Sequence, residues 1–282
     1  MPDSPGNHGP TLHVQRGQAA RRSARAEPCV YLVGAGPGDP ELLTVRAARL
    51  LEAADAIFHD ALVPQAILDR AGPRAELVPV GHRAGGAKPA VGPVARQMAG
   101  RAVAGELVVR LKGGDPFLFG RGGEEAQALI DAGVAFEVVP GLTSALSGPA
   151  AAGIPVTHRR LAGSVTIVTG HESGGDEERV RWDALATASD TLVVLMGAGR
   201  LRSLSLRIIA AGRPSTTPAA VVMAATRPEQ RQVIATLADI ANAAHTAGIG
   251  APAILVVGEV VALAASLGGH QLAELATEAA GR

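Results

Sequence analysis

Three glycine-rich stretches hold the residues best placed to do chemistry. The first, Gly34-Ala35-Gly36-Pro37-Gly38-Asp39-Pro40, ends a short apolar run. A dinucleotide loop needs glycine at its first, third and sixth places, ahead of a helix that accepts pyrophosphate. Here Asp39 fills the sixth place, its charge opposes a phosphate, and two prolines remove backbone donors. The second stretch runs from Arg110 through Lys112-Gly113-Gly114-Asp115-Pro116-Phe117-Leu118-Phe119 to Glu125. Lys112 is followed by Gly-Gly-Asp, so this is not the Gly-x-x-x-x-Gly-Lys-Ser/Thr phosphate loop. Its glycines allow positive φ and close approach of backbone to a ligand. The third, Val139 to Pro149, offers hydroxyls and a close-packed helix start. Asp39, Asp60 and Asp115 each follow a strand-like run, which puts three carboxylates at one end of one sheet. Such a pocket suits hydroxyls, amines or a positive charge better than a phosphate.

The elements that must position these loops read as alternating strands and helices. Apolar runs at Cys29–Val33, Ala56–His59, Glu76–Val80, Leu107–Leu111 and Phe136–Val139 predict strands. Helical spacing appears at 42–54, 64–71, 92–104, 122–132 and 143–152. Near-continuous apolar strands between helices argue for a parallel sheet covered on both faces. Beyond residue 160 the strands are expected at 165–169, 191–195, 219–222, 232–236 and 253–257, with helices at 182–188, 200–211, 238–247 and 260–279. The fourth of these strands follows the third with no helix between, which predicts an antiparallel hairpin in a mixed sheet. The expected fold class is therefore α/β with two lobes, the N-terminal sheet mainly parallel and the C-terminal sheet mixed. The expected division is a disordered leader over 1–27, one lobe over 28–158 and a second over 159–282. The leader's arginines are also compatible with a basic arm. A cleft between lobes is where a small ligand usually sits.

Composition narrows the partners. The chain has 282 residues, 26 basic against 26 acidic, and aromatics make up only 2%. No overall basic field or aromatic platform favours nucleic acid. The single cysteine, Cys29, excludes an internal disulfide and a cysteine-built metal site, so no metal is expected. No run of apolar residues is long enough for a membrane span, and no secretion signal is evident, which predicts a soluble cytoplasmic protein.

Together the three loops resemble the uroporphyrinogen-III C-methyltransferases, within the tetrapyrrole methyltransferase family. The resemblance rests on VYLVGAGPGDPELLTVRAARLLEAAD, VVRLKGGDPFLFGRGGEEA and FEVVPGLTSALSGPAAAGIPVTHR, supported by VTGHE, TPAAVV and PAILVVGEVVAL further on. It implies a two-lobed enzyme, usually a homodimer, that holds S-adenosyl-L-methionine between the lobes and releases S-adenosyl-L-homocysteine. The implied reaction methylates carbons 2 and 7 of uroporphyrinogen III, giving precorrin-2 for siroheme or cobalamin biosynthesis. A sister enzyme with another acceptor, or a binder that has lost catalysis, fits the same donor-side strings.

By that resemblance Pro37, Gly113, Gly114, Asp115, Leu118, Thr143, Ser144, Met196, Ala225 and Ala253 surround the methyl donor. Ala225 and Ala253 would equally suit ordinary packing at strand ends. Asp60 matches the family's proton acceptor, although an aspartate after a strand also suits a helix cap. The family's proton-donor lysine follows a Val-Gly pair, and here His82 follows Val80-Gly81; histidine titrates near neutrality and can donate a proton. A tetrapyrrole rich in carboxylates calls for arginine forks, and Arg83, Arg121 and Arg159, with Arg160 beside them, are the candidates. Departures from the family pattern gather on the acceptor side: Ala61 for a common arginine, His82 for lysine, Leu195 for a common tyrosine, and Arg160 for an acid or small residue.

Overall fold

The computed structural model describes residues 29–81, 91–170 and 180–267. The leader, His82, Arg83, His171 and the chain beyond Leu267 lie outside the described residues.

The first sheet contains β1 (Cys29–Gly34), β2 (Ala56–His59), β3 (Glu76–Pro79), β4 (Val108–Lys112) and β5 (Ala135–Val139). Their order is β3-β2-β4-β1-β5, and every pairing is parallel. Parallel neighbours cannot be joined by tight turns, so helices fill the crossovers. These are α1 (Val45–Ala53), α2 (Gln65–Leu68), α3 (Val91–Val103) and α4 (Gly122–Asp131). Alternate residues of each strand enter opposite cores. Tyr31, Val33, Ile57, Val109 and Leu111 pack with Leu51 and Ile67 on one face. Val30, Leu32, Phe58 and Val108 pack with Met98 and Leu129 on the other. Burial on both faces is why the strands read as unbroken apolar runs. β3 lies at the edge and is largely exposed, and it alone ends in a proline, Pro79.

One helix around this sheet differs from its sequence expectation. The pattern from Leu42 to Ala54 predicts one continuous helix, but Pro40–Leu42 is a separate 3-10 turn and α1 begins at Val45. The cause is two consecutive caps: the Asp39 carboxylate accepts from the Glu41 N–H (2.8 Å), and the Thr44 hydroxyl accepts from the Ala47 N–H (3.1 Å). Each cap satisfies a donor that a helix start leaves open, so the chain breaks into two short elements.

After α5 (Ser144–Ala151) the second sheet is built from β6 (Val165–Thr169), β7 (Thr191–Leu195), β8 (Pro218–Met223), β9 (Arg231–Thr236) and β10 (Ala253–Val257). The order is β6-β7-β10-β8-β9; β6 and β7 are parallel, the other pairs antiparallel, and β8–β9 is the expected hairpin. One face packs against α6 (Trp182–Ala188), α7 (Leu201–Ala210) and α8 (Ile240–Thr246). The other face packs Val193, Ala220, Val222 and Val256 against Ala145 of α5 and against Val260 and Val261. The helix expected over 260–279 is, in its described part, a 3-10 turn at Glu259–Leu263 followed by α9 (Ala264–Leu267).

Topology decides which residues meet. All strands of the first sheet run the same way, so the loops after β1, β2, β4 and β5 gather at one edge. In the second sheet Ala253 pairs with Met223, and the Leu255–Val194 register brings Ala253 level with Met196. Met196, Ala225 and Ala253, far apart in sequence, thus share one edge. The two edges face each other. The Asp39 N–H donates to the Thr226 hydroxyl (3.3 Å), Arg227 Nη2 donates to the Leu62 carbonyl (2.8 Å), and Gln230 Nε2 donates to the Ala151 carbonyl (3.1 Å). Across the same seam Gly148 lies so close to Ile254 that a Cβ there would stand 2.4 Å from the Ile254 Cδ1.

Candidate active site at the seam

At the seam the glycines of the three loops touch one another. A Cβ on Gly34 would stand 2.5 Å from the Gly141 Cα and 2.6 Å from the Gly114 oxygen, while one on Gly141 would stand 2.3 Å from that oxygen. No side chain fits among these backbones, so glycine is required for the loops after β1, β4 and β5 to converge. Gly36 and Gly114 then exchange two backbone hydrogen bonds, of 3.2 and 2.8 Å. Outward from this knot the space opens. A Cβ on Gly113 would meet only the Leu62 Cβ, at 4.0 Å, and one on Gly114, where φ is +68°, would meet nothing within 4 Å. An open backbone edge of this kind can be approached closely by a ligand.

Asp115 helps to build that edge. Its two carboxylate oxygens accept from the Phe117 N–H (2.9 Å) and the Gly141 N–H (3.2 Å), tying its own turn to the third loop. Asp39, as described above, is a cap. Of the three aspartates at this sheet end, Asp60 is the one whose carboxylate holds no backbone amide among the described residues. Thr143 caps α5 through the Ala145 N–H (3.2 Å), and Ser144 is the first residue of that helix. Pro37 is half-buried in the first bend, and Leu118 packs against the second sheet's core.

On the facing edge Met196 follows β7 and is half-exposed, with φ +58°. Ala225 is buried, flanked by Ala224 (φ +48°) and Thr226 (φ +67°). With Phe119 (φ +52°) and Arg121 (φ +59°), these are the non-glycine residues with left-handed backbone among the described residues, and all lie in the seam loops. Such conformations cost on the order of 1–3 kcal/mol each and gather at functional sites.

Asp60 opens onto a crevice of about 230 Å³, walled by Leu62, Gly81, Val94, Phe119 and Arg121 among others. Its floor is charged. Arg110 Nη2 donates to Asp60 Oδ1 at 2.5 Å, Arg110 Nε donates to Glu125 Oε1 at 2.9 Å, and Lys112 Nζ stands 2.9 Å from Glu125 Oε2. The last pair lies off the line of a hydrogen bond, since Oε2 has no hydrogen-bond partner among the described residues; it is a contact of charges. Arg110, Lys112 and Glu125 are all buried. Burial, followed by repulsion from Arg110, lowers the Lys112 pKa below its ordinary value, against the pull of Asp60 and Glu125.

Sequence reasoning did not single out Arg110, Lys112 and Glu125. A signal was present: Arg110 and Lys112 alternate onto one face of β4, a strand otherwise made of valine and leucine. Two cations in a fully covered strand need buried anions. The arginines expected at the rim are placed differently from one another. Arg121 borders the crevice, yet its guanidinium bonds Glu124 (Nη2–Oε2 2.6 Å), which raises its pKa. Arg159 and Arg160 sit on an exposed turn closed by the His158–Ala162 bridge and do not line the crevice. Ala61 lines the crevice, and Leu195 is buried at the end of β7. Trp182, the first residue of α6, is buried in the core of the second sheet. Among the described residues no three His, Cys, Asp or Glu side chains converge on a metal position, and no helix is long and apolar enough to cross a membrane.

Residues 29–241 match the profile of the tetrapyrrole (corrin/porphyrin) methylases. The chain is 48% identical over 240 residues to the S-adenosyl-L-methionine-dependent uroporphyrinogen III methyltransferase of Methanosarcina barkeri, covering 85% of this chain and 94% of that protein. It is 46% identical over 232 residues to the siroheme synthase of Gluconacetobacter diazotrophicus, 82% of this chain but 49% of that longer protein. Among solved structures it resembles the uroporphyrin-III C-methyl transferase of Thermus thermophilus complexed with S-adenyl homocysteine, at TM-score 0.71 and 42% identity, covering 83% of this chain and 99% of that one.

Proposed function

The chain belongs to the tetrapyrrole (corrin/porphyrin) methylase family, and from that premise we propose that it transfers methyl groups from S-adenosyl-L-methionine to carbons 2 and 7 of uroporphyrinogen III. The product would be precorrin-2, entering siroheme or cobalamin biosynthesis. One observation carries the reading: the open glycine edge adjoins the Asp60 crevice, with Leu62 lining the crevice and standing as the nearest side chain to the open side of Gly113.

The residues fit a bulky donor. Gly113 and Gly114 leave room that a side chain would fill, and Met196, Ala225 and Ala253 present no charge across the seam. Pro37, Leu118, Thr143 and Ser144 complete the enclosure in this reading. S-adenosyl-L-methionine, when bound, supplies an electrophilic methyl on a cationic sulfur.

What the protein contributes is alignment and proton handling. Holding a pyrrole carbon in line with the methyl replaces a rare encounter by a fixed geometry, the main source of rate in such transfers. The ring gains positive charge as its carbon is alkylated and must shed a proton. Asp60, anchored through one oxygen, is positioned to accept it. His82 stays our candidate donor, and Arg83 and Arg121 our candidates for the substrate carboxylates, with Arg159, which lies outside the crevice lining, a candidate only for a carboxylate that extends beyond it. We further propose two lobes dividing near residue 158, a homodimer and a cytoplasmic setting. The change from an all-parallel to a mixed sheet between Val139 and Val165 supports the division.

The test is methyl incorporation into uroporphyrinogen III with labelled donor, beside calorimetry with S-adenosyl-L-homocysteine. We expect two methyl groups per macrocycle and saturable binding. Binding without incorporation would leave a donor-binding protein, and incorporation into a different acceptor alone would move the chain to a sister activity.

A further inference from the structure

Arg110 lines the crevice and, judged by position alone, would be read as one more fork for a substrate carboxylate. Its bonding denies it that role. A guanidinium has five N–H donors. Nε donates to Glu125 Oε1 (2.9 Å), Nη1 to the carbonyls of Phe58 (3.3 Å) and Leu111 (3.1 Å), and Nη2 to Asp60 Oδ1 (2.5 Å). Four donors are committed, on a residue 4% exposed. Swinging toward substrate would take a donor away from two backbone carbonyls and from the buried Glu125 carboxylate.

We propose that Arg110 is the positioning residue of Asp60. It clamps one carboxylate oxygen and leaves the other without a partner among the described residues, at the wall of the crevice. Glu125 braces the clamp, and Lys112 balances Glu125, so two cations and two anions close a neutral set. The planar fork matters because it reaches three directions at fixed angles. A lysine ammonium at the same place would keep the charge but could not span Glu125, the strand carbonyls and Asp60 together. The spacing suits this: residues 110 and 112 share a face of β4, and Asp60 follows the neighbouring β2, where His59 is level with Leu111.

This inference rests on the reading of Asp60 as proton acceptor, and a double-mutant cycle separates the two. The variants are Asp60→Asn, Arg110→Lys and their combination, assayed for methyl transfer to uroporphyrinogen III and for S-adenosyl-L-homocysteine binding by calorimetry. If Arg110 acts through Asp60, R110K lowers kcat by about 30-fold, leaves both KM values and the binding constant within about 3-fold, and costs less than about 2-fold more in the Asp60→Asn background. A tenfold rise in the KM for uroporphyrinogen at unchanged kcat would make Arg110 a substrate-binding residue and overturn the proposal. A full, multiplicative loss in the double variant would also overturn it while leaving Asp60 its role. Full activity of Asp60→Asn alone would remove the premise and the proposal together. Should R110K melt below the assay temperature, Glu125→Gln loosens the brace while keeping an acceptor for Nε. It is then expected to lower kcat about 5-fold with the same non-additivity, and an additive loss counts against the proposal.

Discussion

The two edges that meet at the seam are built from different materials. On the first sheet the crevice beside Asp60 is organised by buried charge: Arg110, Lys112 and Glu125 fix a carboxylate that is itself only part-exposed. On the second sheet Met196, Ala225 and Ala253 carry no charge, and the edge is shaped by left-handed backbone at 196, 224 and 226. The difference follows from what each side must do in the proposed reaction. Proton transfer needs an ionisable group in a fixed place, which side-chain ion pairs can supply. Embracing a large cationic donor needs shape and freedom from competing charges, which backbone supplies. Buried ion pairs are costly to assemble and costlier to break by halves, whereas a strained backbone position can be relaxed by a single substitution.

The largest expected effect is on the charged side. Asp60→Asn keeps the shape but cannot accept the proton, and should cut methyl transfer by about 100-fold or more. S-adenosyl-L-homocysteine affinity should stay within about 3-fold, as calorimetry would register. A comparable loss of donor affinity would erase the distinction between the edges.

Next is the glycine knot. Gly34→Ala places a methyl 2.5 Å from the Gly141 Cα, against backbone that has nowhere to go. A destabilisation of about 3 kcal/mol is expected in urea unfolding, and activity should fall with the fold. A wild-type midpoint would mean that the loops can part without consequence.

Met196→Gly sharpens the comparison from the other edge. Removing the side chain relieves the φ +58° backbone and should raise stability by about 1 kcal/mol. Donor affinity should fall about tenfold with the lost contact. A gain in stability without loss of affinity would show the strain to be unrelated to the donor.

The smallest effect concerns Lys112. Burial, then the Arg110 charge, lowers its pKa from the ordinary 10.5, so the unfolded chain holds this proton more tightly than the folded one. The resulting stability cost is present in full below the lowered value and fades as pH climbs toward 10.5. The Tm of the native chain minus that of Lys112→Met should therefore grow by about 2 °C over that window. Groups that the substitution leaves unchanged cancel in the difference. A flat difference would mean the charge cluster is not sealed from solvent.

Much of the fold was open to reading from the residues because both sheets obey local rules. Unbroken apolar strands flanked by helical spacing signal a doubly covered parallel sheet, and the run from Ala219 to Thr236 without a helix signals a hairpin. The error at residues 42–54 arose because apolar spacing continued through Leu42 and Leu43 while two side-chain caps, at Asp39 and Thr44, cut the backbone hydrogen bonding. Periodicity reports which face is buried, and caps report where a helix starts.

The sequence by itself determined the elements, the glycine loops and the family, since these depend on neighbours along the chain and on strings long enough to be specific. Only the tertiary structure decided that Asp115 ties loops together while Asp60 borders the crevice, and that Arg110 is spent on Asp60 and Glu125. A charged side chain's role is set by the partner it finds across strands and helices tens of residues away, and linear spacing carries little record of which partner that is.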